Sequence, residues 1–431
     1  MIDLSPIEDE WLDDRLKGFP PSAAPVRVRD VASRGWNVLA GDLPMPCAVL
    51  RASALDHNLR WMRDFCAEAG VSLAPHGKTT MAPQLFARQV EAGAWAITVA
   101  TVHQANVAVR CGFRRLVLAN QVVGSAELDR VVALSEAHAD LELPFLVDSH
   151  AQLARVADAA RRAGARRPLS VLVEIGHAAG RAGLRSPGEA VELARAIAGS
   201  GVARLVGVEC FEGLRVSLDA VADARVCETL LADVREVAER CDGERLFGGD
   251  EIVVTAGGSA LFDVAARGLS LSLSKPVRVV LRSGCYVAHD AGFYERALAC
   301  VRERRGASWA GREGLRPALE LWSQVQSRPE PGLAIVTMGK RDAGFDIDLP
   351  RPVAVVRPAA PRTLEPVAPG TLVAAMNDQH GYLRMPPGMD LAVGDLVACG
   401  VSHPCTTFDR WALVHLVDDR YDVVGAIRTY F

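Results

Sequence analysis

"LSVLVEI", residues 169–175, is apolar at five of seven positions and carries three β-branched side chains. A short run of this kind suits a strand of a parallel sheet that is covered on both faces. Seven more runs share its texture: "SLAPHGK" (72–78), "WAITVATV" (95–102), "RLVLAN" (115–120), "LPFLVDS" (143–149), "RLVGVEC" (204–210), "EIVVTAG" (251–257) and "VRVVLRSG" (277–284). Helical patterns separate them. "ALDHNLRWMRDFCAEAG" (54–70) sets Leu55, Leu59, Met62 and Cys66 at three- and four-residue spacing and ends on Gly70, which suits a helix C-terminus. Residues 151–163, 187–199 and 220–240 repeat that pattern. Eight strand–helix units predict a (β/α)8 TIM-type barrel. An open doubly wound sheet ranks second because the count is eight.

The texture changes near residue 286. "ALELWSQVQSRP" (318–329), "GLAIVTMGK" (332–340), "RPVAVVRP" (351–358), "TLVAAMND" (371–378), "DLVACGVSH" (395–403), "WALVHLVDD" (411–419) and "YDVVGAIRTYF" (421–431) read as strands punctuated by Pro, Gly and Asp. The expected organisation is an N-terminal segment (1–53), a barrel (54–285) and an all-β domain (286–431). Residues 30–53 are expected to lend strands to the β-domain, "CAVLRAS" above all.

Composition narrows the function. The 431 residues carry a net charge of −4 and no long basic block, so no nucleic-acid partner is expected. No apolar run approaches a membrane span, and the acidic opening "MIDLSPIEDE" is no secretory signal. The ten cysteines are scattered without a CxxC pair, which suits a reducing cytoplasm.

The positive charges are lopsided: 44 arginines against four lysines, at 17, 78, 275 and 340. Lys78 lies in "APHGKTT", at the expected C-terminal end of the first barrel strand, where barrel active sites gather. Lys, unlike Arg, can lose its proton and act as a nucleophile. A Schiff-base lysine is one reading, and a surface lysine ending a strand is the other. "TAGGSALF" (255–262) ends the seventh strand. Gly257 and Gly258 let the backbone approach a ligand, and Ser259 could cap the next helix and donate to a phosphate. Together with Lys78, this turn becomes a phosphate site for pyridoxal phosphate. Near the C-terminus His403 and Cys405 lie two apart. If the stretch is extended, both face one way as a zinc-type pair, completed by water, substrate or His380. The alternative is a core Cys beside a surface His.

Taken together these motifs resemble the D-serine dehydratase / D-threonine aldolase family, whose members are pyridoxal-phosphate enzymes with an alanine-racemase-like barrel and a β-domain. The resemblance spans residue 40 to the end. It rests on Pro75-His76-Gly77-Lys78-Thr79, on Gly176 to Gly183 with Arg181 (one residue longer than the family's element), on Gly257-Gly258-Ser259, on His380-Gly381 and on His403-Pro404-Cys405. It implies that Lys78 carries the cofactor, that Arg181 and the Gly-Gly-Ser turn hold it, and that His403 and Cys405 bind a divalent metal, Zn2+ foremost. It also directs Gln379 and His380 toward substrate. The family's sixth strand commonly carries Tyr where this chain has Phe211, and Tyr286 is the candidate to compensate. Within the resemblance His-x-Cys accompanies dehydratases, while Asp in the second position accompanies aldolases. The implied activity is deamination of D-serine and D-threonine to a 2-oxo acid and ammonia by a cytoplasmic homodimer. Lys78 would be buried in the barrel mouth. D-threonine-type aldolase, racemase and non-catalytic pyridoxal-phosphate carrier are the alternatives.

Overall fold

All eight runs form strands of one parallel sheet: Ser72–Leu73, Ile97–Val99, Leu116–Gln121, Phe145–Val147, Leu169–Ile175, Ala203–Phe211, Ile252–Gly257 and Val277–Leu281. In this computed structural model, which describes residues 1–213, 216–358 and 363–431, neighbours in sequence are neighbours in the sheet. The last strand pairs with the first through Val280–Ser72 and Leu281–Leu73. The first meets the second through a His76–Thr98 bridge, where the Thr98 amide donates to the Pro75 carbonyl at 2.9 Å. The sheet is therefore a closed (β/α)8 barrel. Side-chain caps start several of its helices. Thr101, Ser149 and Ser186 each accept from the amide three residues on, and Asp219 accepts from Val221 and Ala222.

The strands fill the barrel in layers. Ala74, Ala96, Val117, Leu146, Leu172, Val253 and Val280 form a separate apolar cluster inside it. Two residues further along the same strands stand His76, Thr98, Asp148, Glu174, Thr255 and Arg282, with Glu209 two past Gly207 and Ala119 as the one apolar exception. Strand residues two apart face the same way, so the interior changes from apolar to polar within one step toward the C-terminal ends.

Beyond residue 286 the expected all-β character fails at first. Phe293–Arg305 is a helix. Its Ala297, Leu298 and Val301 form a buried stripe at helical spacing, and it contacts the barrel helix Ala220–Gly243. It follows the eighth strand as the eighth helix of the barrel. The chain then builds antiparallel strands, among them Leu319–Glu330, Leu333–Val336, Arg351–Val356, Leu372–Met376, Gly381–Arg384, Leu396–Gly400, Leu413–Val417 and Val423–Arg428. Cys47–Arg51, the best N-terminal candidate, pairs with Leu319–Glu330 and Leu413–Val417. Val28–Arg34 is a 3-10 helix instead of a strand. The β-domain leans on the first barrel strand's end, where the Tyr430 amide donates to the Met81 carbonyl at 2.9 Å. No helix among the described residues is long and apolar enough to cross a membrane.

Candidate active site

A cavity of about 210 Å³ opens at the C-terminal end of the barrel, between the strand ends and the β-domain. Its wall brings together Lys78, Gly258, Ser259, Cys285, His403 and Cys405. These residues come from the first, seventh and eighth strand ends and from the β-domain turn Cys405–Phe408 with the residues just before it. That turn is pinned where the Thr407 hydroxyl accepts from the Gly344 amide at 2.9 Å, with Phe408 fully buried.

Lys78 sits in a 3-10 turn, Gly77–Thr79, that the tight packing of Gly77 against Phe86 permits. Its side chain is exposed on the cavity wall, so the expected burial does not hold: the turn lifts it out of the strand line. Its ammonium makes no hydrogen bond or ion pair among the described residues. Lys17, by contrast, bonds to the Arg341 carbonyl and Asp342, and Lys275 to the Phe247 and Gly249 carbonyls. Below Lys78, His76 is held well under the usual imidazole range by burial and then by the charges of Lys78 and Arg282. It is neutral at pH 7, and its Nδ1 is buried without a partner.

The glycine turn lines the same cavity. Gly258 has φ of +129°, and a Cβ there would strike Glu212, so glycine is required. Gly257 lies one residue deeper with Arg282 packed on it and is not in the lining. Ser259 does not cap a helix. The next helix begins at Phe262, so the Ser259 hydroxyl instead accepts from the Cys285 amide at 3.4 Å. Behind the turn, burial pushes the Glu212 carboxyl up to about 8.

The His403–Cys405 stretch is not extended. Pro404 has helical dihedrals and Cys405 opens a short turn, yet both side chains still reach the cavity. His403 Nδ1 bonds to Asp346 at 2.6 Å. The anchored ring keeps Nε2 for a metal, the arrangement in which a carboxylate orients a ligating His. Burial opposes charge on Asp346, but hydrogen bonds from Thr406 and His403 outweigh it and keep its carboxyl below the usual range. The Cys405 thiol donates to the Thr79 hydroxyl at 3.4 Å. Cys405 also lies 3.5 Å from the Cys285 sulfur. Its hydrogen bond, helped by Tyr294, His403 and Thr79, holds the Cys285 thiol below its usual range despite burial.

Three expected residues fall elsewhere. Tyr286 is turned away and buried, accepting from the Gln89 amide at 3.3 Å. The 3-10 turn at Cys285–Val287 rotates it into the core, and Tyr294 takes the place in the lining. Gln379 and His380 are exposed in the loop before Gly381–Arg384 and do not line the cavity, because the Asn377 amide closes that loop on the His380 carbonyl at 2.9 Å. Arg181 is half exposed and stacks over Phe211, 4.6 Å from the ring centroid. Phe211 lines the cavity, so Arg181 borders it through that ring. Sequence reading passed over Arg282, Tyr294 and Asp346. Only Arg282 carried a signal, standing two residues beyond an interior valine.

The set fits both implied groups. Lys78 is an unengaged amine in the same cavity as a glycine turn where a side chain would not fit, which suits a phosphorylated aldehyde. Imidazole and thiol suit a soft divalent metal. Among the described residues no three His, Cys, Asp or Glu side chains are gathered to enclose an ion, so water or substrate must complete the coordination, as in open catalytic sites.

The chain matches two family descriptions: "Alanine racemase, N-terminal domain" over residues 50–263, and "Putative serine dehydratase domain" over residues 318–417. It is 26% identical to a D-threonine aldolase from Arthrobacter sp. over 84% of this chain and 86% of that one. The solved D-threonine aldolase from Filomicrobium marinum superimposes with a TM-score of 0.74 at 23% identity, covering 94% of this chain and 98% of that one. D-threo-3-hydroxyaspartate dehydratase from a Delftia species gives 0.68 at 22% identity, covering 91% and 99%.

Proposed function

We propose, for a chain that belongs to the alanine-racemase-like family of D-serine dehydratases and D-threonine aldolases, that it is a pyridoxal-phosphate- and metal-dependent dehydratase of D-3-hydroxyamino acids. The observation that carries this reading is one cavity lined by Lys78, a glycine turn, His403 and Cys405. A racemase or a carrier would have no use for the last two.

Pyridoxal phosphate, when bound, supplies a conjugated ring that withdraws electrons from the substrate's α-carbon. Lys78 would hold it through its amine, with the Gly258–Ser259 turn taking the phosphate. Lys78 Nζ, when its amine is free, would be the base that takes the α-proton. His403 and Cys405 would hold the metal, whose Lewis acidity favours departure of the β-hydroxyl. Asp346 fixes the His403 tautomer, and Thr79 orients the Cys405 sulfur. Neutral His76 beneath Lys78 adds no positive charge to the floor. The products are a 2-oxo acid and ammonia.

Aldol cleavage is the second reading, favoured by the name of the curated relative. It needs a base at the β-hydroxyl, whereas elimination needs a Lewis acid at a leaving oxygen. A cysteine at position 405, bound as thiolate, would suit zinc and the second role. The deciding experiment incubates the purified protein with D-threonine. We expect 2-oxobutyrate and ammonia, with turnover lost on chelation while the pyridoxal absorbance persists. Glycine and acetaldehyde would overturn the dehydratase assignment.

A further inference from the structure

We propose that Cys285 and Cys405 form a reversible thiol–disulfide site that closes the active-site cavity. Cys285 follows the eighth barrel strand, and Cys405 opens a turn of the β-domain 120 residues later. Their sulfurs stand 3.5 Å apart, and both line the cavity. Among the described residues no other two cysteines share a sulfur–sulfur hydrogen bond. The remaining cysteines are dispersed through the core or, for Cys300, bonded to the Leu218 carbonyl. This pair alone combines contact with access.

A disulfide is about 2.05 Å long, so the sulfurs must approach by roughly 1.5 Å. Both stand at turns that follow strands, and the cavity on one side leaves room for their side chains to rotate. Cys405 is partly exposed, so a small oxidant reaches it through the same opening as a substrate. The Thr79 hydroxyl touches both sulfurs, at 3.4 and 3.9 Å, and keeps them on one side of the Lys78 turn.

With a peroxide as oxidant the chemistry balances. One thiol, as thiolate, attacks the O–O bond; a sulfenic acid forms and one water leaves. The second thiol attacks that sulfur, the S–S bond forms and a second water leaves. Two thiols are oxidised and one peroxide is reduced. The product ties barrel to β-domain across the cavity and removes the Cys405 sulfur from any metal.

The geometry of the thiols carries this proposal without the metal reading, and the test separates the two. The full-length protein, cleared of metal with a chelator, is treated with hydrogen peroxide and digested without reductant. The expected result is a linked peptide pair holding Cys285 and Cys405, with activity that returning zinc alone does not restore and that dithiothreitol followed by zinc does. Cys285→Ser should form no such link and should regain its starting activity when zinc alone is returned after the same treatment. Peptide mapping of the wild type stands even if that variant folds poorly. A link between other cysteines, no link, or equal inactivation of Cys285→Ser overturns the proposal. In a parallel arm zinc is added at about 100-fold above its Kd, leaving about 1% of Cys405 free, so closure should slow roughly 100-fold. Closure at an unchanged rate would overturn Cys405 as a metal ligand and leave the thiol pair standing.

Discussion

The barrel's interior holds two layers built on the same strands and opposite in chemistry. The lower one is an apolar plug: Ala74, Ala96, Val117, Leu146, Leu172, Val253 and Val280. The upper one, a single alternation further on, is a linked polar ring. Arg282 pairs with Glu209 at 2.5 Å and donates to the Thr255 hydroxyl at 3.0 Å. Gln121 donates to Glu174 and, at 3.2 Å, to Asp148. Side chains of the plug need only volume to be content. Those of the ring include buried charges, Glu174, Glu209 and Arg282 among them, and a buried charge depends on a partner. His76 and Arg282 of the ring line the cavity, and the plug lies one alternation below them. The difference teaches where stability is given up for chemistry: the strands could have continued apolar to their ends.

The largest effect should come from splitting the buried pair. Arg282→Met leaves Glu209 buried and uncompensated, with an expected loss of about 3–5 kcal/mol in urea unfolding. The double variant Glu209→Gln/Arg282→Met should recover much of that loss. Equal losses in both proteins would show that the ring is not organised by this pair.

Leu172→Ala opens a hole in the plug one step below Glu174. Its cost should be about 2–5 kcal/mol, from lost burial plus the residual cavity, and it should be the same at pH 5 and pH 7. A pH-dependent loss would mean that water enters from the plug side, so that the two layers are not separate.

The ring itself should respond to pH. Burial, and then the charge of Glu209, push Glu174 up to about 7 from an ordinary 4.5. The folded state therefore holds a proton on Glu174 that the unfolded chain has lost, and stability falls as pH rises from 4.5 toward 7. Glu174→Gln removes that titration. Relative to the variant, the wild type should lose about 2 kcal/mol between pH 4.5 and 6. Parallel stability profiles would place Glu174 in contact with water.

The smallest effect belongs to the rim. Arg181 is half exposed, and its stacking over Phe211 should contribute only about 0.5–1 kcal/mol. Arg181→Ala should thus unfold almost like the wild type while binding pyridoxal phosphate less tightly, read by fluorescence titration. Unchanged affinity would confine Arg181 to the surface.

Much of this was legible in the chain as written. Eight buried-strand runs gave the barrel because a strand covered on both faces shows it in composition alone. The rarity of lysine isolated Lys78, and the Gly-Gly pair marked a turn where a side chain would not fit. Each signal is local, set by backbone preference and burial over a few residues. The structure decided what depends on direction after a strand has ended, where no period governs the side chains. A 3-10 turn put Tyr286 into the core and left the cavity to Tyr294. Another raised Lys78 to the surface of the cavity. Closure of the barrel brought Arg282 to Glu209, 73 residues apart, folding of the β-domain brought Asp346 to His403, and its docking on the barrel brought Cys285 to Cys405. Such pairs are fixed by the angular positions of strands around a closed sheet and by one domain resting on another, which no stretch of neighbouring residues encodes.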